Sequence, residues 1–431
     1  MNRNVLHIRG LIMKKLIALS LLALSAVATT PLSLAEDIEL YISDVVREAG
    51  KSTKVLIIFD NSGSMATVDE VNAPYLKDGQ TVPDHYDAED VSHAYNDDAT
   101  YFNVGGADGT STIPDSPSDA RRFLADINSC HTSKALLAKY GMYTGRIREY
   151  TYQGQTGSWN EVPSNNGLNI EVIDCEDDAY IEDSAGNVVN EGTTVNATGV
   201  DVGYPVNEQG SKNSPVYHSE NKVSTNIDWS SGSYVTLYTA NYLRWYHTTT
   251  KEKIDQSRMK SAQNSMTSVI NTTPSVDFGL EIFNYNKGDA IGDANGGRIA
   301  IGIRKMTATN KATLLDVIND QLTSETWTPL CESLYEANQY FSGDIVDFGD
   351  DDIDVGSGSN KYFKNTPPRD TAIEAGGSYL SPFSDCANSV SHVILITDGE
   401  PTNDYGADSR ILALESKVQK KDSDGFHEFD A

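Results

Sequence analysis

Lys54–Met65, with the sequence KVLIIFDNSGSM, constrains the fold of this 431-residue chain more than any other stretch. Its five apolar residues Val55–Phe59 predict a strand that is buried on both faces, which is typical of the middle of a covered, mostly parallel sheet. The strand ends at Asp60, and the small polar residues 61–64 follow. Because ligands bind at the carboxyl ends of the strands in open α/β sheets, we expect this loop to be a binding site.

The loop offers only oxygen atoms as ligands. Asp60, Ser62 and Ser64 form a D-x-S-x-S pattern with one carboxylate and two hydroxyls. Oxygen ligands suit a hard divalent cation, with Mg²⁺ as the first expectation and Ca²⁺ as the alternative. The pattern alone does not decide between a metal site and an ordinary turn, since Asp-Asn-Ser-Gly is also common turn sequence.

Two later segments place further oxygen groups at the ends of predicted elements. Thr328 begins a helical pattern in TWTPLCESLYEA, where it is a good N-cap with Pro329 at the first helical position. Asp398 follows a second apolar run, Val393–Ile396. Together they add a third hydroxyl and a second carboxylate.

This combination resembles the metal-ion-dependent adhesion site of a von Willebrand factor A domain. The resemblance implies an α/β fold with a doubly wound, mostly parallel, Rossmann-like sheet that carries a long insertion after its first strand. It also implies a metal shell in which one coordination position stays open to a partner's carboxylate. The implied ligands are Asp60, Ser62, Ser64, Thr328 and Asp398.

The N-terminal residues have the pattern of a secretory signal peptide. Lys14 and Lys15 precede an apolar run, Leu16–Ala28, and small residues suited to cleavage follow at 33–35. The run is shorter than the roughly 20 residues that a membrane-spanning helix needs. We therefore expect residues 1–35 to be removed after export, with Met13 as an alternative start.

The rest of the chain divides into three predicted parts. Residues 36–65 hold the first strand and the metal loop. Residues 66–240 are rich in Asp, Asn, Gly, Tyr and Ser with few amphipathic runs, so we expect an irregular insertion there. Residues 241–431 contain the remaining helices and strands. An A domain needs about two further strands and a helix, so the resemblance predicts a sheet that is incomplete at its C-terminal part.

Charge and cysteine content limit the partners. The formal net charge of −29 repels nucleic acid and anionic membranes, and no later segment is apolar over a transmembrane length. Export permits disulfides, and four cysteines allow three pairings. We favour the two pairs that lie close in sequence, namely Cys130 with Cys175 and Cys331 with Cys386.

The order of several motifs narrows the resemblance further. After DNSGSM comes an aromatic, cysteine-bearing region with CHTSKALLAKYGMYTGRI and YTANYLRWY, then GGRIAIGI, TPLCESLYEANQYFSG and SPFSDCANSVSHVILITDGEPTND. This order is similar to the N-terminal part of the PilY/PilC-type proteins associated with type IV pilus tips in Gram-negative bacteria. The similarity implies a secreted adhesion and assembly module that binds minor pilins or the pilus tip, and a host or surface ligand. Its expected location is the periplasm, the pilus tip, the cell surface or the extracellular medium.

Two other functions remain open at this point. One is a secreted A-domain binder of matrix or host proteins unrelated to pili. The other is a metal-assisted hydrolase that uses the same cation. Ser62 and Ser64 lie in no G-x-S-x-G or S-x-x-K pattern, and no residue is placed as a general base. We therefore predict a non-enzymatic protein without catalytic residues.

Overall fold

The structure is a computed structural model. The residues that it describes are 53–104, 112–153, 156–162, 170–179, 181–182, 188–190, 205–211, 214–217, 232–285, 296–352, 366–383, 390–402, 404 and 406–418. The predicted signal peptide, residues 1–35 with the alternative start at Met13, lies outside the described residues, and so does Cys386.

The described residues form strands, α-helices and short single turns of other helix types. The strands are β1 (Thr53–Phe59), β2 (Val68–Asn72), β3 (Ala99–Val104), β4 (Arg122–Leu124), β5 (Met142–Gln153), β6 (Thr156–Glu161), β7 (Ile170–Cys175), β8 (Ile181–Glu182), β9 (Val188–Asn190), β10 (Pro205–Ser211), β11 (Ser214–Tyr217), β12 (Tyr234–Thr239), β13 (Lys253–Ser257), β14 (Val276–Phe283), β15 (Gly297–Arg304), β16 (Glu374–Ala375), β17 (Ser378–Tyr379) and β18 (Val390–Ile396). The α-helices are α1 (His131–Tyr140), α2 (Glu176–Ala179), α3 (Ala240–His247), α4 (Arg258–Thr272), α5 (Ala308–Asp316), α6 (Leu330–Ser342) and α7 (Asp408–Val418). Within these ranges, no helix combines the length and the apolar character that crossing a membrane requires.

A four-stranded sheet in the order β15–β14–β1–β18 carries the D-x-S-x-S loop. β1 runs parallel to both neighbours, with Ile57 opposite Leu280 and Ile394, whereas β15 pairs antiparallel with β14. The side chains on the two faces of β1 pack in different apolar clusters. Val55, Ile57 and Phe59 pack with side chains of α4 and α5, and Leu56 and Ile58 pack with side chains of α6. Burial on both faces is the reason why the run is continuously apolar.

A larger, six-stranded sheet is entirely antiparallel. Its order is β4–β3–β12–β5–β6, with β7 also paired to β5. Consecutive residues of β12 lie in different apolar clusters. Leu237 packs with Phe102 and Tyr143, whereas Tyr238 packs with Tyr101. This alternation is the period-two pattern of a strand whose two faces meet different surroundings. The sheet lies in the part of the chain for which the sequence predicts an irregular insertion.

The predicted doubly wound, mostly parallel sheet is therefore wrong as a description of this chain. Only the pairings of β1 with β14 and β18 are parallel among the described strands, and the other five sheets are antiparallel. The prediction took the long apolar runs as strands of one parallel sheet and assigned residues 66–240 to an irregular insertion without a sheet of its own. Strands that the sequence does indicate there, Asn169–Ile173 and Tyr234–Tyr238, correspond to β7 and β12 of the six-stranded sheet.

A two-stranded ribbon connects the two sheets along the chain. β2 begins shortly after the D-x-S-x-S loop and pairs antiparallel with β13, and α4 follows β13 directly. All strands of the six-stranded sheet lie between β2 and β13 in sequence. The ribbon thus carries the chain away from the loop and returns it to the same place. At its end, Arg258 donates its backbone N–H to the carbonyl of Thr67 at 2.9 Å.

Candidate functional site

Hydrogen bonds to both neighbouring strands hold the loop after β1. Asp60 is fully buried, and its backbone N–H donates to the carbonyl of Ile396 at 2.9 Å. Its Oδ1 accepts the backbone N–H of Ser62 at 2.7 Å, and its Oδ2 accepts the hydroxyl of Thr397 at 2.6 Å. On the other side, Asn61 Oδ1 accepts the backbone N–H of Phe283 at 2.9 Å. The Asp60 carboxylate is therefore fixed at the carboxyl edge of the sheet.

The two serines continue this arrangement as a short line of oxygen atoms. Ser62 Oγ and Ser64 Oγ share a hydrogen bond of 2.9 Å, and Ser64 Oγ donates to Asp398 Oδ1 at 2.6 Å. Asp398 follows β18, which is in parallel register with β1, so the ends of both strands reach the same edge. The structure thus brings Asp60, Ser62, Ser64 and Asp398 together.

The cluster is open toward solvent on the side of two glycines. A Cβ added at Gly399 would meet only Ser64 Oγ within 4 Å, at 3.7 Å, among the described atoms outside its chain neighbours. A Cβ added at Gly63 would meet only the carbonyl oxygen of Thr326, at 3.9 Å, by the same measure. Ser64 itself is exposed. A ligand can therefore approach the serine hydroxyl without displacing a side chain at either glycine.

Thr328 lies two residues after Thr326, which contacts the loop, but the hydrogen bonds of Thr328 within the described part of the chain go to Thr402 and Leu330. Gly63 N–H donates to the carbonyl of Thr326 at 2.9 Å, and Thr328 and Thr402 are linked by two hydrogen bonds of 3.0 Å each. Thr328 is 4% exposed. Among the described residues, its hydroxyl makes no hydrogen bond to the other four predicted ligands. The structure places this threonine between the two loops without showing its hydroxyl in the line of oxygens.

The predicted cap of α6 is wrong in its residues. The helix begins at Leu330, and Pro329 rather than Thr328 holds the N-cap position without a side-chain hydrogen bond. Asp404 replaces the side-chain cap, since its carboxylate accepts the backbone N–H of Cys331 at 2.9 and 3.0 Å and that of Glu332 at 3.2 Å. The cap comes from a distant loop because the proline side chain has no hydrogen-bond acceptor and Thr328 lies one residue before the N-cap position.

A guanidinium group supplies positive charge beside the cluster. Arg258 Nη1 lies 2.9 Å from Asp398 Oδ2, and its Nε lies 2.8 Å from Asp69 Oδ2. The hydrogen bonds to Asp69 and then to Asp398 raise the pKa of Arg258 above its usual range. Asp398 therefore uses one oxygen for Ser64 and the other for Arg258, whereas Asp60 is held by an amide and a hydroxyl.

The chemistry of the donor set fits a hard divalent cation. Two carboxylates and two hydroxyls offer only oxygen ligands, which Mg²⁺ and Ca²⁺ prefer. The contacts from Ser62 to Ser64 and from Ser64 to Asp398, at 2.9 and 2.6 Å, are ordinary hydrogen bonds between these oxygens. The donor types, and not these distances, are what fit the ion.

Two buried glutamates lie in the layer below the loop. Glu281 of β14 is opposite Ile58, two residues before Asp60, and neither of its carboxylate oxygens has a hydrogen-bond partner among the described residues. Glu336 of α6 accepts the hydroxyl of Tyr379 at 2.6 Å and the backbone N–H of Phe348 at 2.8 Å. Burial raises the pKa of Glu281 well above its usual range, with Glu336 adding to the effect, and burial raises the pKa of Glu336 to about 7.

Two of the four cysteines, Cys130 and Cys175, are fully buried. Cys130 and Cys175 are joined by a disulfide, and Cys130 Sγ also accepts the backbone N–H of Ser133 at 3.1 Å at the start of α1. The side chains of Asp174 and Asp178 lie close enough to both sulfurs to suggest a metal site. The disulfide argues against this, because a metal binds the thiolate form of cysteine. The pairing of Cys331 with Cys386 involves a residue outside the described ranges.

Sequence reasoning did not assign four residues that shape the site. They are Arg258, Thr397, Thr402 and Asp404. Thr397, Thr402 and Asp404 lie in the block ITDGEPTND, where two hydroxyls and a second aspartate close to Asp398 are a local signal for further polar contacts. Arg258 gives no such signal, since its partner is 140 residues away.

Comparison with known proteins identifies one region of the chain. Residues 99–248, about a third of the sequence, match a domain family of unknown function, DUF8355. The match spans β3 to α3 and so contains the six-stranded sheet and the Cys130–Cys175 disulfide, whereas all five predicted metal ligands lie outside it. No curated protein and no solved structure matches the chain.

Proposed function

We propose that this chain is a binding protein that holds a divalent cation at the edge of its four-stranded sheet and uses it to bind a carboxylate of a partner. The observation that carries the proposal is the line of oxygens from Ser62 through Ser64 to Asp398, with contacts of 2.9 and 2.6 Å. Asp60 and Thr328 complete the proposed ligand set. Mg²⁺ is the cation that we propose for this set of carboxylate and hydroxyl oxygens.

The charges of the cluster support a bound cation with free coordination. The carboxylates of Asp60 and Asp398 supply two negative charges, of which that of Asp398 is shared with Arg258, and the exposed side at Gly63 and Gly399 leaves room for water or for a partner's oxygen. An incoming carboxylate would replace a water and complete an octahedron. Such binding needs neither a nucleophile nor a general base, in keeping with the predicted non-enzymatic role.

The biological setting that we propose is a type IV pilus. The order of the motifs from DNSGSM to ITDGEPTND is what supports it, together with the signal-peptide pattern at residues 1–35. In this setting the chain is exported, assists assembly through minor pilins or the pilus tip, and adheres to a host or surface ligand that offers a carboxylate. The DUF8355 family has no assigned function, so its match to residues 99–248 is neutral toward this setting.

The cation site is tested by calorimetric titration of the purified protein with MgCl₂ and with CaCl₂. Asp60→Ala and Ser64→Ala are expected to weaken Mg²⁺ binding at least about tenfold, since each removes a ligand. Asp87→Ala is the control, because that aspartate is 97% exposed and pairs only with a histidine at 3.5 Å among the described residues.

Two outcomes would contradict the proposal. Wild-type protein that binds no Mg²⁺ would remove the site, and so would an unchanged affinity in both ligand variants. Ser64 is exposed, so Ser64→Ala is expected to fold even if Asp60→Ala does not. The pilus setting is tested separately by binding of purified minor pilins in Mg²⁺ and in EDTA, where equal binding would argue against a cation-dependent contact.

A further inference from the structure

We infer that Trp327 is the apolar half of the binding surface at this site, and that the ligand is an acidic peptide segment with an apolar side chain next to its Asp or Glu. The inference rests on the proposed function, since it takes the cation as the partner of the ligand's carboxylate. It adds the residue that selects among carboxylates, which the metal ligands themselves do not do.

Trp327 is held at the cluster by the residues on either side of it. Thr326 forms a parallel bridge with Ser62, and its hydroxyl donates inward to the carbonyl of Asn284 at 2.5 Å. Thr328 is also buried and is linked to Thr402. Its two neighbours are 7% and 4% exposed, whereas 43% of Trp327 is exposed, so the tryptophan side chain lies at the surface.

A fixed, exposed tryptophan is well suited to bind a ligand. Its two neighbours already hold the backbone, so little conformational freedom is lost when a partner packs on the ring. Tryptophan is among the residues that most often dominate binding energy at interfaces. A single exposed apolar residue is common on any protein surface and needs no explanation. The position next to an open, oxygen-lined cluster is what gives this one a role.

The charge of the chain indicates why an apolar contact is needed. A formal net charge of −29 repels an acidic partner at long range. The attraction must then come from short-range contacts, namely the cation for the carboxylate and the indole ring for the neighbouring side chain. Gly63 and Gly399 add no side chains between them, so a peptide backbone can lie close to the cluster.

The test uses three blocked hexapeptides that differ only at the two central positions: Gly-Gly-Asp-Phe-Gly-Gly, Gly-Gly-Asp-Gly-Gly-Gly and Gly-Gly-Asn-Phe-Gly-Gly. Their affinities are measured by calorimetry in saturating MgCl₂. Wild-type protein is expected to bind the Asp-Phe peptide about tenfold more tightly than the Asp-Gly peptide, and to bind the Asn-Phe peptide weakly. Trp327→Ala should abolish the preference for phenylalanine, whereas Trp327→Phe should keep most of it.

Leu334→Ala is the matched control, because Leu334 is also 43% exposed but lies on α6. It should leave the preference unchanged. Trp327→Ala should also keep the Mg²⁺ affinity of the wild type, which separates a contact with the ligand from a general effect on the site.

The outcomes separate this inference from the proposed function. A preference for phenylalanine that persists in Trp327→Ala overturns the inference, and so does protein that binds Mg²⁺ but none of the peptides. Failure of the wild type to bind Mg²⁺ at all overturns the proposed function, and the inference with it. Loss of Mg²⁺ affinity in Trp327→Ala would assign the ring a structural role instead.

Discussion

Arg258 Nη1 donates to Asp398 Oδ2 at 2.9 Å, while the other oxygen of the same carboxylate accepts the hydroxyl of Ser64 at 2.6 Å. One aspartate thus joins the proposed cation cluster to the first residue of α4. Because Arg258 also pairs with Asp69 of β2, the same guanidinium contacts the ribbon that leads to the six-stranded sheet. A cation bound at the cluster and the Arg258 side chain would compete for the negative charge of Asp398.

This competition predicts that Arg258→Gln binds Mg²⁺ more tightly than the wild type. Removing a positive charge a few ångströms from a divalent cation lowers the repulsion between them, and we expect a gain of roughly three- to tenfold at low ionic strength. Calorimetric titration at low and high NaCl measures it. Lys260→Gln is the control, since Lys260 lies on the same helix and pairs with Asp78 at 3.5 Å. An affinity that falls in Arg258→Gln would mean that the arginine organises the cluster.

The buried glutamates predict a pH dependence of stability. Their folded-state pKa values are raised, that of Glu336 from 4.5 to about 7. As pH rises through this window the unfolded chain loses protons that the folded chain keeps, so the free energy of unfolding falls. Glu281→Gln keeps the shape of the side chain but does not ionise. It should therefore be as stable as the wild type below about pH 4 and increasingly more stable as the pH rises from there to 7.

Urea unfolding at several pH values measures this difference. Glu70→Gln, at an exposed position in β2, is the control and should show no such change. The prediction would be contradicted if Glu281→Gln were less stable than the wild type at every pH, because that would mean that an ionised Glu281 carries a stabilising contact.

Long apolar runs explain which strands could be predicted. The sequence pattern predicts a strand over Val276–Phe283 and a helix over Asp408–Val418, and the structure confirms both with these bounds. Each has a strong local pattern: all eight residues of that strand are buried, whereas the helix has apolar residues at helical spacing. The six-stranded sheet as a unit was not predicted, because most of its strands are short alternations of aromatic and polar residues that pair with partners distant in sequence.

Some residues of the candidate site could likewise be predicted from the sequence, and others could not. Asp60 and Asp398 each follow an apolar run, and parallel strands in register must end at one edge, so their proximity could be expected from local patterns alone. The roles of Arg258 and Asp404 could not, because an ion pair or a cap from a distant loop has no periodic signature. Thr328 shows the limit of a local rule: its sequence is that of a good cap, but its backbone N–H and carbonyl are engaged with Thr402.

The disulfide predicts a large effect on the stability of the DUF8355 region. Cys130 and Cys175 are 45 residues apart, and closing a loop of that length lowers the entropy of the unfolded chain by an amount equivalent to about 4 kcal/mol. Replacing both cysteines by serine should lower the free energy of unfolding by roughly 2–4 kcal/mol. Urea unfolding followed by tryptophan fluorescence measures this mainly in residues 99–248, where three of the four tryptophans, Trp159, Trp229 and Trp245, lie.

A reductant provides the matching control. Reduction of the wild type should destabilise the protein by a similar amount, and the double serine variant should lose less on reduction. If the double variant were as stable as the oxidised wild type, the link would contribute nothing to folding.

Asp404 predicts a link between the stability of α6 and the cation site. Its carboxylate accepts the first backbone N–H groups of the helix, and the same loop contacts Thr328 through Thr402. Asp404→Ala removes the cap and should cost about 1 kcal/mol of unfolding free energy. Asp404→Asn keeps an oxygen that can accept these hydrogen bonds, so it should recover most of the loss. Because Thr328 is then held less firmly, we also expect Asp404→Ala to weaken Mg²⁺ binding by a few fold.

Thermal unfolding with and without MgCl₂ measures both effects in one experiment. A bound cation stabilises the folded state in proportion to the logarithm of its concentration over its dissociation constant. The shift that Mg²⁺ causes should therefore be smaller in Asp404→Ala than in the wild type, and Asp404→Asn should lie between them. An equal shift in all three proteins would mean that the cap stabilises α6 without positioning Thr328, and Thr328 would then be dropped from the proposed ligand set while Asp60, Ser62, Ser64 and Asp398 remained.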